Sequence, residues 1–281
     1  MALKPLEPVL AVRLFPEERR LLLELLRALK DDEWNAPTVC PGWSVKDIAL
    51  HLLGDDLGRL SRGRDAFAGG GFVPKGEGDF ERELLDFINQ WNELWVQATR
   101  RISPRLLCDL LCFAGDETQR YFEALDLFAI GGPVTWAGRD PAPVWLDVAR
   151  EYTERWAHHQ QIRDALGRPG LTEPRLFAPV LDTFVRALPH TFRDVQVAGG
   201  THIRLTITGD AGGVWSLVRD ERWSLWRDVA GEPHAAVVMD ADTAWRLFTK
   251  GISRDAALAR TEMTGDQPLA LKVLDTVSII A

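Results

Sequence analysis

PTVCPGWSVKDIALHLLG, residues 37–54, is the stretch from which the fold of the first half is read. Pro37, Pro41 and Gly42 disfavour regular structure, so it opens as a loop. Ser44 followed by Asp47 forms an S-x-x-D capping box, in which the hydroxyl and the carboxylate each satisfy the other residue's backbone N–H. Val45, Ile48 and Leu52 then recur at helical spacing and predict a helix from Ser44 to about Phe67. His51 falls at the edge of that apolar stripe. There it is either a half-buried histidine bonded to a carbonyl or a ligand.

The same reading extends outward. Upstream, residues 16–33 begin with Pro16, Glu17 and Glu18, good helix-start chemistry, and carry Leu22, Leu25, Leu26 and Leu29 at helical spacing. Downstream, GGGFVPKGEGD (69–79) reads as a connector, without the strand-then-helix context of a phosphate loop. Residues 80–102 and about 104–128 form two more amphipathic segments. After the breaker cluster GGPVTWAGRDPAP, a helix is predicted from about Val144 to Leu166, stopped by Gly167 and Pro169, with a shorter one near Phe177 to Ala187. Long amphipathic helices with no strands between them predict an all-α antiparallel bundle.

Composition changes near residue 190. HIRLTITGD alternates Ile203, Leu205 and Ile207 with polar residues, the pattern of a half-buried strand. GVWSLVRD and RWSLWRDV read as a hairpin across Asp220 and Glu221, and HAAVVMD as another strand. TAWRLFTKG and GDQPLALKVLDTV read as helices. The expected organisation is a helical bundle over 1–190 and a small α+β domain over 191–281.

Net charge is -8, so no basic field exists to attract a phosphate backbone, and no nucleic-acid partner is expected. Cys40, Cys108 and Cys112 are too few for a disulfide framework and fit a reducing compartment. The N-terminal segment has no long apolar core with a cleavage site, and the run LLLELLRAL is too short to span a bilayer. The chain is expected to be cytoplasmic, with no membrane partner.

The residues with the most specific chemistry are Glu154 and His158, with His51. Residues four apart share a helix face, so Glu154 and His158 can reach one point. Two imidazoles and a carboxylate form the donor set of an open zinc site, and a bundle can bring His51 opposite the other two. The E-x-x-x-H spacing alone is common on solvated faces. Glu151 and Asp55, one turn from proposed ligands, either accept imidazole N–H bonds that fix ligand tautomers or are solvated. His159 points about 100° away from His158; it either supports the site from behind or makes a polar interhelical contact. Cys40 reads as a packed loop thiol, and Cys108 and Cys112 as core thiols. His190, His202 and His234 read as structural or exposed, and Trp215, Trp223 and Trp226 as packing residues.

The run of residues 37–54 resembles the N-terminal signature of the mycothiol-dependent maleylpyruvate isomerase family, within the DinB-like helical-bundle superfamily. Thr38, Cys40, Gly42, Trp43, Ser44, Val45, Asp47, His51 and Leu52 fit its pattern. EYTERWAHHQQIRDALG resembles the later helix of that family. AAVVMDADTAWRLFTKG and MTGDQPLALKVL are similar, more loosely, to the sterol-carrier-like domain that often follows. The resemblance implies a DinB-like four-helix bundle, a divalent metal, zinc first, on His51, Glu154 and His158, and a thiol cofactor such as mycothiol. Nickel, iron and manganese share these ligand preferences. The implied function is a metal-dependent isomerase or transferase, monomeric or homodimeric, acting with a small thiol on a small electrophilic substrate. The alternative is a non-catalytic binding module for an apolar small molecule, or a regulatory or stress-related DinB-like protein with a structural metal.

Overall fold

The computed structural model describes residues 4–67, 69, 72, 80–227 and 229–279. The connector expected over residues 69–79 lies outside them except at two positions. Contacts group the chain into two compact units. One comprises Val12–Leu125 and Glu154–Gly170. The other comprises the N-terminal residues through Ala11, Asp126–Thr153 and the chain from Leu171 onward. The expected boundary at residue 190 falls inside the second unit, because residues 126–153 and 171–190 group with the sheet.

The first unit is helical. It holds α1 (Phe15–Arg27), α2 (Val45–Arg59), α3 (Phe80–Thr99), α4 (Pro104–Glu123) and the second half of α5 (Val144–Ala165). The capping box forms as read: Ser44 N–H donates to Asp47 Oδ2 at 3.0 Å and Asp47 N–H donates to Ser44 Oγ at 3.3 Å. Beyond Arg59, α2 widens into a π turn over Leu60–Arg64, so the α-helix ends before the expected Phe67. The core joins Leu22, Leu23 and Leu26 of α1 to Ile48, Leu52 and Leu53 of α2, Leu107 and Leu111 of α4, and Ile162 of α5. Cys108 lies in this core as expected, and burial raises its thiol pKa. Gly54 fixes how α2 meets α3: a Cβ there would come within 2.6 Å of the Trp95 indole nitrogen. That indole donates to the Leu50 carbonyl at 2.7 Å.

A buried ion cluster ties three helices of this unit. Asp56, fully buried, accepts from Arg19 Nη2 at 2.6 Å and from Arg155 Nη2 at 2.7 Å. Arg19 also donates to the Leu111 carbonyl at 2.7 Å. Charges this deep are tolerated only when paired and hydrogen-bonded.

The second unit carries a six-stranded mixed sheet, ordered β1-β4-β3-β2-β5-β6. Its strands are β1 (Lys4–Pro5), β2 (His202–Thr208), β3 (Gly213–Arg219), β4 (Trp223–Arg227), β5 (Ala235–Asp240) and β6 (Thr261–Gly265). β2 pairs β3 antiparallel and β5 parallel; Ile203, Leu205 and Ile207 are buried, as their alternation predicts. The helices α6 (Pro174–Phe184), α7 (Leu188–Thr191), α8 (Ala241–Phe248), α9 (Arg254–Leu258) and α10 (Gln267–Val273) belong to this unit. Trp215 and Trp223 are buried and donate to Asp182 and to the Val195 carbonyl. Among the described residues, no helix is long and apolar enough to cross a membrane.

Candidate metal centre

Two helices of the first unit build the site. A tight turn precedes α2: Trp43 N–H donates to the Cys40 carbonyl at 3.0 Å, with Pro41 and then Gly42 (φ +78°) in the centre. Proline followed by a left-handed glycine is type II turn chemistry. The turn fixes Cys40 and Trp43, Ser44 starts α2, and His51 follows two turns along it. From α5, Glu154 and His158 project from one face.

These three side chains converge. One ligand atom from each of His51, Glu154 and His158 lies within 4.8 Å of the other two. Glu154 Oε1 is 3.0 Å from His158 Nε2 and 3.5 Å from His51 Nε2. Donors about 2.0–2.1 Å from a tetrahedral ion stand about 3.3 Å apart, so these separations fit a divalent ion. The His51 and His158 rings meet edge to face, centroids 4.6 Å apart. Burial alone would raise the Glu154 carboxyl, but the His158 and His51 imidazoles that bond it hold it far below the usual carboxylate range. Burial also opposes charge on His158, yet Cys40 and Glu154 beside it hold its pKa well above the ordinary value.

The neighbouring candidates separate. Asp55 Oδ2 lies 3.3 Å from His51 Nε2, the nitrogen that also faces Glu154. It therefore sits beside the candidate ion position rather than behind the imidazole. Glu151 pairs with its neighbour Arg150. His159 is fully buried: its Nδ1 is 2.9 Å from Glu18 Oε1, and its Nε2 accepts from Arg163 Nε at 3.0 Å. That is the polar interhelical contact. Burial, outweighing Glu18, lowers its pKa.

Two more residues reach the site: Gln161, which the sequence did not single out, and Trp43, read there only as part of the family pattern. Gln161 Oε1 is 2.7 Å from His158 Nδ1 and accepts from Cys40 Sγ at 3.3 Å. Its spacing, three residues after His158, is the one signal that could have singled it out. Trp43 stacks at a tilt on His51, centroids 5.2 Å apart, and donates to Glu93 at 2.8 Å. That indole bond, with Gln97, lowers the Glu93 pKa.

A helical unit whose two imidazoles and one carboxylate converge on a single point defines a class: helical proteins with a candidate metal centre. The profile of the mycothiol maleylpyruvate isomerase N-terminal domain matches residues 15–163, more than half of the chain, and the chain belongs to that family. Among solved structures, the fold is similar to that of a histidine-to-alanine mutant of the mycothiol-dependent maleylpyruvate isomerase. The TM-score is 0.51 at 10% identity, over 84% of this chain and 86% of that one. A second structure of that isomerase gives 0.49 at 10% identity, over the same shares of the two chains. No curated protein matches the sequence.

Proposed function

We propose that this chain is a metal-dependent enzyme that uses a low-molecular-weight thiol, mycothiol or a relative of it, to isomerise or to modify a small electrophilic substrate. The observation that carries the reading is the convergence of His51 Nε2, His158 Nε2 and Glu154 Oε1 at spacings suited to one ion. Family membership supports the thiol and the substrate class. When bound there, a divalent ion, zinc first among candidates, supplies the charge that keeps a coordinating thiol deprotonated. The two neutral imidazoles add no charge and Glu154 adds one negative charge, so the centre favours an anionic partner over a neutral one. Asp55, beside His51 Nε2, is placed to receive the proton that the thiol gives up. Trp43 packs at a tilt against one side of the His51 ring.

We further read the helical unit as a DinB-like four-helix bundle and the sheet-bearing unit as sterol-carrier-like. The chain then works as a monomer or homodimer on soluble small molecules. Its unpaired cysteines suit a reducing cytoplasm.

Elemental analysis of untagged protein tests the centre: close to one zinc per chain is expected, lost in His51→Ala and in His158→Ala. Turnover of a panel of activated cis-alkenes that depends on added thiol tests the activity. Stoichiometric metal with no thiol-dependent turnover would refute the enzyme reading.

A further inference from the structure

We propose that Gln161 is a positioning residue that holds His158 in the tautomer leaving Nε2 free for a metal ion. The proposal rests on the metal-centre reading above. Gln161 lies on the His158 face of α5, and its Oε1 is 2.7 Å from His158 Nδ1 and 3.3 Å from Cys40 Sγ. An amide oxygen only accepts, and it has two lone pairs. With the oxygen facing inward, both neighbours donate: the imidazole through Nδ1–H and the cysteine through S–H. When a metal displaces the proton shared between Nε2 and Glu154 Oε1, 3.0 Å away, the ring keeps its hydrogen on Nδ1 and offers the Nε2 lone pair.

Reversing the amide would aim its NH2 at Nδ1, move the ring hydrogen to Nε2 and close the very atom that faces the cluster. Cys40 opposes that reversal, because its S–H finds an acceptor in Gln161 only while the oxygen faces inward. Both partners stand on fixed backbone, Cys40 in the type II turn and Gln161 on the helix that carries His158. Metal-bound histidines usually donate their second N–H to an oxygen that sets ring orientation and basicity. In this chain that oxygen belongs to a neutral amide.

The test is zinc affinity of full-length untagged protein by competition with a chromophoric chelator. Gln161→Leu, which removes the acceptor, is expected to weaken binding by about 10–100-fold. Gln161→Glu, which restores an acceptor-only oxygen, is expected to return the affinity to the wild-type level or beyond. Long-range proton–nitrogen NMR spectra of the zinc-loaded wild type are expected to place the His158 hydrogen on Nδ1. Equal zinc Kd values for folded Leu and Glu variants, or a hydrogen on Nε2, overturn the proposal. If the Leu variant does not fold, Gln161→Ala, which also removes the acceptor, takes its place in the zinc competition, with the same weakening expected and an unchanged Kd overturning the proposal. A wild type that takes up no zinc defeats the metal-centre reading itself, an outcome distinct from unchanged affinity in the variants.

Discussion

Replacing Asp56 with Asn keeps the shape of the side chain and removes its charge. In the folded protein Asp56 is fully buried and neutralises Arg19 and Arg155, which bond it at 2.6 and 2.7 Å and are themselves almost fully buried. The variant therefore removes the carboxylate charge that both guanidinium groups bond, and its amide group points N–H donors at other donors. Breaking a buried pair in this way costs about 3–5 kcal/mol, a large part of the roughly 5–15 kcal/mol that stabilises a typical domain. Asp56 joins α2 to α5, the two helices that carry the candidate ligands, so the loss should reach the metal centre as well. Urea unfolding of the wild type and Asp56→Asn, without zinc and with zinc at about one hundred times Kd, measures both effects. Zinc at that excess should restore about 2.7 kcal/mol through binding to the folded state alone. A variant within about 1 kcal/mol of wild type at an unchanged m-value would show that the cluster does not hold these helices together.

Cys40 and Glu154 hold the pKa of His158 well above its ordinary value in metal-free protein, so zinc competes with a proton for this imidazole. Uptake below the raised folded pKa should release close to one proton per site, and affinity should rise about tenfold per pH unit until that pKa is reached. Calorimetry in buffers of different ionisation enthalpy checks this; proton-free uptake would contradict it. For metal-free stability the signs differ. The His158 contribution is complete below its unfolded pKa and is lost as pH rises through the raised folded value. The Glu154 contribution is complete above its unfolded pKa and is lost as pH falls through the depressed one. Urea midpoints measured across pH should fall at both ends. Gly54→Ala forces the Trp95 indole aside and should cost about 1–3 kcal/mol with weaker zinc binding, read by thermal melts and chelator competition. Asp55→Asn should retain zinc and slow thiol-dependent turnover, most at low pH; full turnover across the pH range would remove Asp55 from the chemistry.

The helical elements and most strands are legible because periodicity and caps are local. Ser44 and Asp47 announce α2 before any tertiary contact is known, and Glu154 with His158 is visible as spacing on one helix. His51 needed the resemblance, since a lone histidine beside an apolar stripe has no partner in its own segment. Asp56 was not legible. It follows Asp55 directly, and about 100° of helical rotation turns one carboxylate toward two arginines from distant segments and the other toward the metal centre. β1 and β6 are short, with exposed or half-exposed residues and no alternation to read. Nor does sequence order reveal the grouping of residues 126–153 with the sheet, which depends on long-range contacts.

Leucine-lined helices can slide past one another by a full turn with little loss of apolar contact, since one leucine fits another's place. Arg155 denies α5 that freedom. A shift of one turn along the axis would bring either Glu151, a like charge, or His159 opposite Asp56, and would carry the guanidinium away from that carboxylate. The ion cluster thus acts as a vernier mark on an otherwise smooth contact. It admits one axial setting of α5 against α2, and in that setting Glu154 and His158 stand level with His51.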